Sequence, residues 1–570
     1  MRVIIIGGVA GGMSAATRLR RLDESAEIIV IEQGDYVSFA NCGLPYYVGG
    51  VITERQSLLL QTPESLRARF ALDVRTRHQA VAIDRDAQTV SIRDTRMGTI
   101  SHEAYDHLIL ATGATPRDAF GQIEGGPIVS TLRTIDDVDR ITLALEEVPS
   151  TARAAGPKKR AVVAGGGFIG LEAVENLVHR GLDVTLVQHG VHPLSPLDPE
   201  MAALVVDELS ARCVDLRMRT SVKSMDADGV HLGDGTTVPA DIVIDARGVR
   251  PAASIATDAG LAAGPTGGIA VDALQRTSDP RIFAVGDAVE KIDAISAEPI
   301  LVTMAGLANR HGRTAADVIA WEHGLLDDRP DDAVPAVGTA IVGVFDLAVA
   351  MVGWSERRLR DAGRAHRVIH AHPADHATYY PGSERLTMKL LVEPDTDLIL
   401  GAQVIGRSGA DKRIDVIATA MQAGLTASQL SRLELAYAPQ LGSAKDPVNM
   451  LGYIADNAAT GLTDSIQWHE LEDAMTAGAS VLDVRSAAEQ ESGAIPGSIH
   501  VSVDELRSKI DDLPPGDLIV HCQVGQRGHT AARVLRHHGR TVRNLSGGYL
   551  TWHAGVRMSD LSGIREKEMA

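Results

Sequence analysis

The sequence predicts a multidomain α/β chain, and three observations carry the prediction. A strand, a glycine-rich turn, a helix and a second strand follow one another twice, once from Arg2 and again from Arg160. From about residue 326 to 455 the pattern changes to alternating strands followed by a helix, which reads as a separate α+β domain. Beyond it, about 100 residues of short apolar strands alternate with helical stretches, which describes a small α/β domain.

Size and composition agree. The 570 residues exceed a single hydrophobic core and suggest three to five units. Hydrophobic residues make up 45% and charged residues 23%, the balance of a globular protein, and 55 glycines imply many tight turns. A formal charge of -19 argues against a nucleic-acid partner, which would need a surplus of lysine and arginine. The apolar run at the N-terminus is too short for a signal segment, and no uninterrupted stretch of about 18 apolar residues occurs, so no membrane partner and a cytoplasmic location are expected. The three cysteines, Cys42, Cys213 and Cys522, allow no disulfide framework and no CxxC pair, and each is judged alone. The histidines lack ligand spacing, and no metal is expected.

In chain order, residues 2–6 form an apolar strand, Ala15 to Leu22 have helical spacing, and Ile28 to Ile31 form a second strand ending at Glu32. In such a unit glycines permit the tight turn and the approach of a pyrophosphate to the helix N-terminus, while the acidic residue takes the ribose hydroxyls. Gly7, Gly12 and Glu32 fit; Val9 stands where a middle glycine is usual. The second unit runs from Ala161 through Gly165, Gly167 and Gly170 and a helix to His179, then the strand Val184 to Val187. Its acidic position holds Gln188, with no arginine directly after it to hold a 2′-phosphate, which leans towards NADH over NADPH. Gly156-Pro-Lys-Lys-Arg160 before this unit has linker composition. Leu110-Ala-Thr-Gly-Ala114, with Ala111, Thr112 and Gly113, and Ile282-Phe-Ala-Val-Gly-Asp-Ala288, with Gly286 and Asp287, are two further glycine turns after strands. Ala340 to Val344 and Leu386 to Val392 are strands, Lys412 to Ala423 a helix, and Ala455 to Thr463 a linker. Ser480 to Val484, Ser498 to Val501, Leu518 to His521 and Val542 to Leu545 are the strands of the last domain.

Two cysteines stand in informative surroundings. Cys42 lies in Ser38-Phe-Ala-Asn-Cys-Gly-Leu-Pro-Tyr-Tyr47, shortly after a nucleotide-binding strand. A lone thiol there excludes an internal redox disulfide but can form a mixed disulfide with a ligand sulfur or oxidise to sulfenic acid. Cys522 follows a strand and opens Cys522-Gln-Val-Gly-Gln-Arg527 before a helical stretch, Thr530 to Arg536, a placement that favours a thiolate. Cys213 has a mostly apolar context, and packing is its expected role.

Several long motifs then identify a resemblance. Gly-Gly-Val-Ala-Gly-Gly at 7–12, the Cys42 segment, His376-Ala-Thr-Tyr-Tyr-Pro-Gly382 and Tyr437-Ala-Pro-Gln-Leu-Gly-Ser-Ala-Lys-Asp446 resemble the coenzyme A disulfide reductases in their rhodanese-fused form, which includes NADH-dependent persulfide and polysulfide reductases. Val9 matches that family's own glycine motif. Asp483-Val-Arg485, Ala494 to His500, the C-x4-R loop and Leu545-Ser-Gly-Gly-Tyr549 resemble a rhodanese domain; a phosphatase of similar topology normally has one more residue between Cys and Arg.

The resemblance implies two Rossmann-like dinucleotide-binding domains, an α+β dimerisation domain and a C-terminal rhodanese-like α/β domain. FAD would bind residues 1–113 and 245–325, with Asp287 at the flavin ribityl and pyrophosphate; NAD(P)H would bind 114–244. Residues 326–455 would dimerise, 456–464 link, and 465–570 form the rhodanese-like domain. Cys42 is then the redox nucleophile beside bound coenzyme A, which Ser14, Arg18, Arg21, Ser38, Asn41 and Lys445 would contact. Tyr379 and Tyr437, from the other subunit of a homodimer, would donate to the leaving sulfur, with Tyr380 an alternative to Tyr379. Cys522 would carry a persulfide, with Arg527 in its catalytic loop. The expected reaction is reduction of a persulfide, polysulfide or coenzyme A disulfide by NADH, or NADPH, through FAD. The rival is an NADH oxidase or peroxidase cycling Cys42 through sulfenic acid, with a regulatory rhodanese domain; a third reading is a plain sulfurtransferase fed with electrons by the flavin unit.

Overall fold

The computed structural model describes residues 1–117, 120–146 and 159–562. Residues 156–158 of the expected linker before the second glycine turn lie outside them. Among the described residues no helix is long and apolar enough to cross a membrane. The chain divides into two compact units, Met1–Gly165, Ala173–Thr185 and Val222–Ala336 in one, and Gly166–Glu172, Leu186–Ser221 and Val337–Ala570 in the other.

The first unit is built on a five-stranded parallel sheet in the order Ile282–Ala284, His107–Leu110, Arg2–Ile6, Glu27–Glu32, Asp73–Thr76. Both faces of this sheet are covered, which is why its strands read as continuous apolar runs and not as alternation. Val3 and Ile5 pack on one side with Met13, Ala16 and Leu19 of the helix Ala10–Leu22 and Ala316 and Ile319 of the helix Ala305–Glu322. Ile4 and Ile6 pack on the other side with Val90 and Ile92, from a three-stranded antiparallel meander of His78–Asp84, Thr89–Asp94 and Ile100–Ala104. The chain leaves the sheet after Leu110 and rejoins it at Ile282. The outgoing Ala114–Pro116 and the returning Val249–Pro251 pair antiparallel. Between them a second parallel set forms, with Ile242–Asp245 flanked by Arg160–Ala164 and Ile128–Ser130.

The other unit holds two sheets. An antiparallel sheet runs in the order Ala340–Val344, Leu347–Gly353, Ile399–Gly406, Thr387–Val392, Arg367–Ala371. Its core includes Ile414 and Ile417 of the helix Ala410–Gln422 and Val448 and Leu451 of the helix Pro447–Ala459. A five-stranded parallel sheet follows, in the order Ser465–Ile466, Val542–Leu545, Leu518–His521, Ser480–Asp483, Ile499–His500. The final helix, Gly548–Ser562, packs Met558 on Ala203 and Val206 of the helix Pro199–Ala211.

Two sequence expectations are corrected. The segment expected as a linker from about residue 456 begins inside a helix that runs to Ala459, because Ala455, Ala458 and Ala459 are strong helix formers; only the residues after it leave the helix, where Leu462 donates back to the Asn457 carbonyl at 2.9 Å. Cys213 is exposed, in the left-handed conformation (φ 60°) that ends the helix Pro199–Ala211, so it caps a helix instead of packing a core.

Candidate functional site

Gly7 and Gly12 of the first glycine turn are sterically closed to anything larger than glycine. Gly7 adopts φ +108°, and a Cβ there would stand 2.2 Å from the Ala111 carbonyl oxygen; a Cβ on Gly12 would stand 1.9 Å from the Gly7 oxygen. The helix that begins at Ala10 has no side-chain cap and no acidic residue in its first turn, so its N-terminal amides and positive dipole end face the turn unneutralised. Glu32 is already positioned: it accepts from the Gly8 amide at 2.9 Å and the Gly34 amide at 2.8 Å. Ala111 donates its amide to Ile6 O at 2.8 Å, the Thr112 hydroxyl donates to Ala252 O at 2.7 Å, and a Cβ on Gly113 (φ +69°) would meet open space. This donor set and its cradle fit a dinucleotide.

Asp287 follows Gly286 (φ +79°) in a short turn at the end of the strand Ile282–Ala284. Burial raises the pKa of its carboxyl, opposed by the nearby charges of Lys291 and Arg133. Burial in turn pushes Lys291 down to about 8, while its ammonium donates to the carbonyls of Gly286 (2.5 Å) and Val289 (2.9 Å). Lys291 was not singled out by motif reasoning; its position four residues after the Gly286-Asp287 turn was the available signal.

The second turn repeats the logic of the first. Gly165 takes φ +106°, with a Cβ position 2.4 Å from the Ala246 oxygen. The Gly166 amide donates to Gln188 Oε1 at 3.0 Å, the bond that Gly8 makes to Glu32 in the first unit. Gln188 is buried and donates onward to Ser195 at 3.2 Å. A Cβ on Gly167 would meet nothing within 4 Å, and Gly170 is buried at the start of the helix Phe168–His179.

Cys42 sits in a single turn, Asn41–Gly43, immediately before the helix Leu44–Gly49, and is exposed. Ser38 holds the approach to it in a left-handed conformation (φ 48°), donating its amide to Gly8 O at 2.8 Å. The thiol loop is thereby tied to the first glycine turn. The Asn41 amide reaches Arg133 O at 3.4 Å. Of the expected cations, Arg21 is exposed, whereas Arg18 is committed to Asp317 at 2.5 Å; Ser14 donates to Asn309 Oδ1 at 2.9 Å.

In the other unit the hydroxyls of Tyr379 and Tyr437 meet at 2.7 Å, and this contact raises the Tyr437 pKa above that of an ordinary phenol. Tyr380 turns instead against the His376 ring, 5.9 Å away centroid to centroid. Tyr379 is 74% exposed and Tyr437 48%, so the paired phenols face outward from this chain. Lys445 is exposed beside Asp446, the buried N-cap of the following helix.

The Cys522 thiol is buried at the end of the strand Leu518–His521, and its loop enters the helix Gln526–His537 through Gly525 at φ +90°. The turn Gly547-Gly548 lies against that loop so closely that a Cβ on Gly548 would stand 2.3 Å from Cys522 O, and Tyr549 N donates to the same oxygen at 2.8 Å. Fully buried Arg485 is locked to Asp483 by contacts of 2.7–3.1 Å and donates to Gln523 Oε1 of the loop at 3.1 Å. Burial pushes His521 down to about 4, so this ring is neutral near pH 7. Arg527, the last residue of the loop, makes a bidentate ion pair with Glu489 at 2.5 and 2.8 Å. Motif reasoning missed Glu489; the only sequence signal was the S-x-x-E capping pattern from Ser486.

The sequence profile of the pyridine nucleotide-disulphide oxidoreductases matches residues 1–308, that of their dimerisation domain residues 339–447, and that of the rhodanese-like domain residues 467–555. A coenzyme A disulfide reductase of Staphylococcus haemolyticus is 32% identical over 454 residues, 80% of this chain and 99% of that protein. The crystal structure of reduced Bacillus anthracis CoADR-RHD superposes with a TM-score of 0.92 at 42% identity, covering 98% of each chain. A NAD-dependent persulfide reductase from A. fulgidus superposes at 0.87 with 36% identity, covering 97% of this chain and 100% of that one. A water-forming NADH oxidase from Lactobacillus brevis, 22% identical and covering 81% of this chain, shares the fold alone. The chain belongs to the pyridine nucleotide-disulphide oxidoreductases, enzymes of FAD and a nicotinamide nucleotide, and carries a rhodanese-like domain at its C-terminal end.

Proposed function

We propose that this enzyme reduces the sulfur–sulfur bond of a persulfide, polysulfide or coenzyme A disulfide, with Cys42 as its redox nucleophile and Cys522 as a carrier of sulfane sulfur. The observation that carries the reading is the pairing of one exposed cysteine, tied to a dinucleotide turn and without a second cysteine in C-x4-C spacing, with a complete rhodanese-like loop in the same chain. The persulfide reductase and CoADR-RHD structures superpose over 97–98% of the chain, which supports the reading.

In this reading Gly7, Gly12, Glu32, Ala111, Thr112, Gly113, Gly286 and Asp287 hold FAD, with Lys291 and Arg133 as added counter-charges. Gly165, Gly167, Gly170 and Gln188 hold the nicotinamide nucleotide, and the uncharged Gln188 is compatible with NADH. Bound FAD and NADH supply the two electrons of the reduction. The chain's own part begins with the Cys42 thiolate attacking the outer sulfur of R-S-SH, so that the S–S bond breaks and R-SH leaves with a proton. In a homodimer, Tyr379 and Tyr437 of the partner subunit supply that proton: their shared hydrogen bond and the raised Tyr437 pKa keep a phenol proton available at neutral pH. Arg21, Ser14, Ser38, Asn41 and Lys445 receive the anionic coenzyme, with Arg18 sharing its charge with Asp317.

The test is anaerobic NADH oxidation with a coenzyme A persulfide, reading sulfide release, for wild type and Cys42→Ser, beside an aerobic peroxide assay. Sulfide release that disappears with Cys42 supports the reading. Turnover with peroxide and none with persulfide overturns it in favour of a peroxidase.

A further inference from the structure

We propose that Glu489 sets the donor specificity of the Cys522 loop, turning it away from dianionic sulfur donors such as thiosulfate and towards the terminal sulfur of thiol persulfides. The proposal rests on the reading of Cys522 as a sulfur carrier and adds a selectivity that the reading does not contain.

The charges around the thiol are already balanced. Two guanidinium groups approach the loop, and each is already neutralised by a carboxylate. Arg485 is buried in its pair with Asp483 and spends its remaining donors on Gly493 O (2.7 Å) and Gln523 Oε1 (3.1 Å). Arg527 gives one nitrogen to each Glu489 oxygen, at 2.8 and 2.5 Å, the fork-to-fork geometry that an oxyanion ligand would otherwise take up. His521 is neutral near pH 7. What remains for an incoming anion is the loop's backbone amides and the helix end behind Gly525, a partial positive charge of about half a unit, while Arg527, which also hydrogen-bonds the Cys522 sulfur, meets the anion only as one half of its pair with Glu489.

Glu489 is also held where it is. It is the fourth residue of a capping box, and its Oε2 accepts from the Ser486 amide at 3.0 Å and the Ser486 hydroxyl at 2.9 Å as well as from Arg527. Ser486 directly follows locked Arg485 along the chain. Swinging the carboxylate away to release Arg527 would therefore break the start of the helix Ala487–Glu491.

The two donor classes load this site differently. With a persulfide anion, the Cys522 thiolate attacks the outer sulfur, the donor S–S bond breaks, a new S–S bond forms on Cys522, and a thiolate leaves; two negative charges are present throughout. With thiosulfate the same bonds form and break, sulfite leaves, and the total is three. Neither step needs an outside oxidant or reductant. The additional charge calls for an unbalanced cation beside the leaving group, and Glu489 already balances the Arg527 charge that the loop provides.

The experiment uses the full-length protein with cyanide as sulfur acceptor, reading thiocyanate, with thiosulfate and glutathione persulfide as donors. Wild type, Glu489→Gln, Glu489→Asp, Ser486→Ala and Cys522→Ser are compared, and the Cys522→Ser rate is subtracted as the uncatalysed background. We expect Glu489→Gln to raise the ratio of thiosulfate to persulfide kcat/KM at least about tenfold, equivalent to about 1.4 kcal/mol. Ser486→Ala, which only loosens the carboxylate, should shift the ratio in the same direction by less, and Glu489→Asp should keep the wild-type ratio. Should Glu489→Gln fail to fold, an unchanged ratio in Ser486→Ala overturns the proposal. A ratio within twofold of wild type in a folded Glu489→Gln also overturns it. Full thiocyanate formation by Cys522→Ser would overturn instead the sulfur-carrier reading beneath it.

Discussion

Gly12 leaves no room for a side chain, since a Cβ would stand 1.9 Å from a backbone oxygen of the same turn. Gly12→Ala must therefore move Gly7 or the start of the helix, and the flavin bound per polypeptide, read from visible absorbance, should fall to less than about a tenth of wild type by analogy with the loss of a close backbone approach. Gly167 is the contrasting case, because a Cβ there meets nothing within 4 Å of the protein. Gly167→Ala should keep its flavin and its fold while the KM for NADH rises several-fold, since the methyl enters space left for the ligand; an unchanged KM would remove Gly167 from the nucleotide site. Positions of this kind are legible in a sequence because a tight turn imposes glycine locally. Glu489 was not legible in its role, because its partner Arg527 lies 38 residues away and only folding brings the two together.

At the level of elements, apolar runs located the strands well: Arg2–Ile6, Ala340–Val344, Leu518–His521 and Val542–Leu545 form over the stretches that the pattern marks. The same reading passed over Lys389, in the middle of the strand Thr387–Val392, because periodicity does not say how a buried charge is satisfied. Lys389 is fully buried and meets Asp198 (2.9 Å), Glu200 (2.6 Å) and Glu356 (2.5 Å). Its ammonium thus occupies the position that a cation would need among these three carboxylates. Glu200 also accepts from His370, which contacts Ser546 at 3.1 Å, so the cluster joins the helix Pro199–Ala211, the antiparallel sheet and the turn beneath the Cys522 loop. Lys389→Met removes the ammonium that these three carboxylates share and strands them in the interior. It should cost about 3–5 kcal/mol of local stability, read from hydrogen exchange of the strand Thr387–Val392, and a loss under about 1 kcal/mol would show that the carboxylates protonate or rehydrate without penalty.

Across the whole molecule, buried histidines give stability a common pH dependence. Burial is the largest cause pushing His107, His311 and His521 each down to about 4 from an ordinary 6.5. A histidine held neutral in the folded state binds no proton between those values, while the unfolded chain does. Stability is therefore unaffected above about pH 6.5, falls as the pH drops from there to about 4, and levels off below. Each such group contributes a slope of roughly 1.4 kcal/mol per pH unit inside the window. Glu489 adds to acid sensitivity from a different direction: Arg527 holds it down to about 2, so its contribution is present above about 4.5 and is lost as the pH falls towards 2. A chain of several domains need not unfold in one step, so the readout has to be local. Hydrogen exchange of the strand Leu518–His521, followed from pH 7 to pH 5 after correction for intrinsic exchange, isolates His521. Protection should fall with pH in wild type, and His521→Asn, which cannot gain a proton, should flatten that slope by about 1.4 kcal/mol per unit. An identical slope in the variant would place the acid sensitivity of the Cys522 domain elsewhere, and His469 and His529, whose pKa values burial also lowers, would be the next groups to replace.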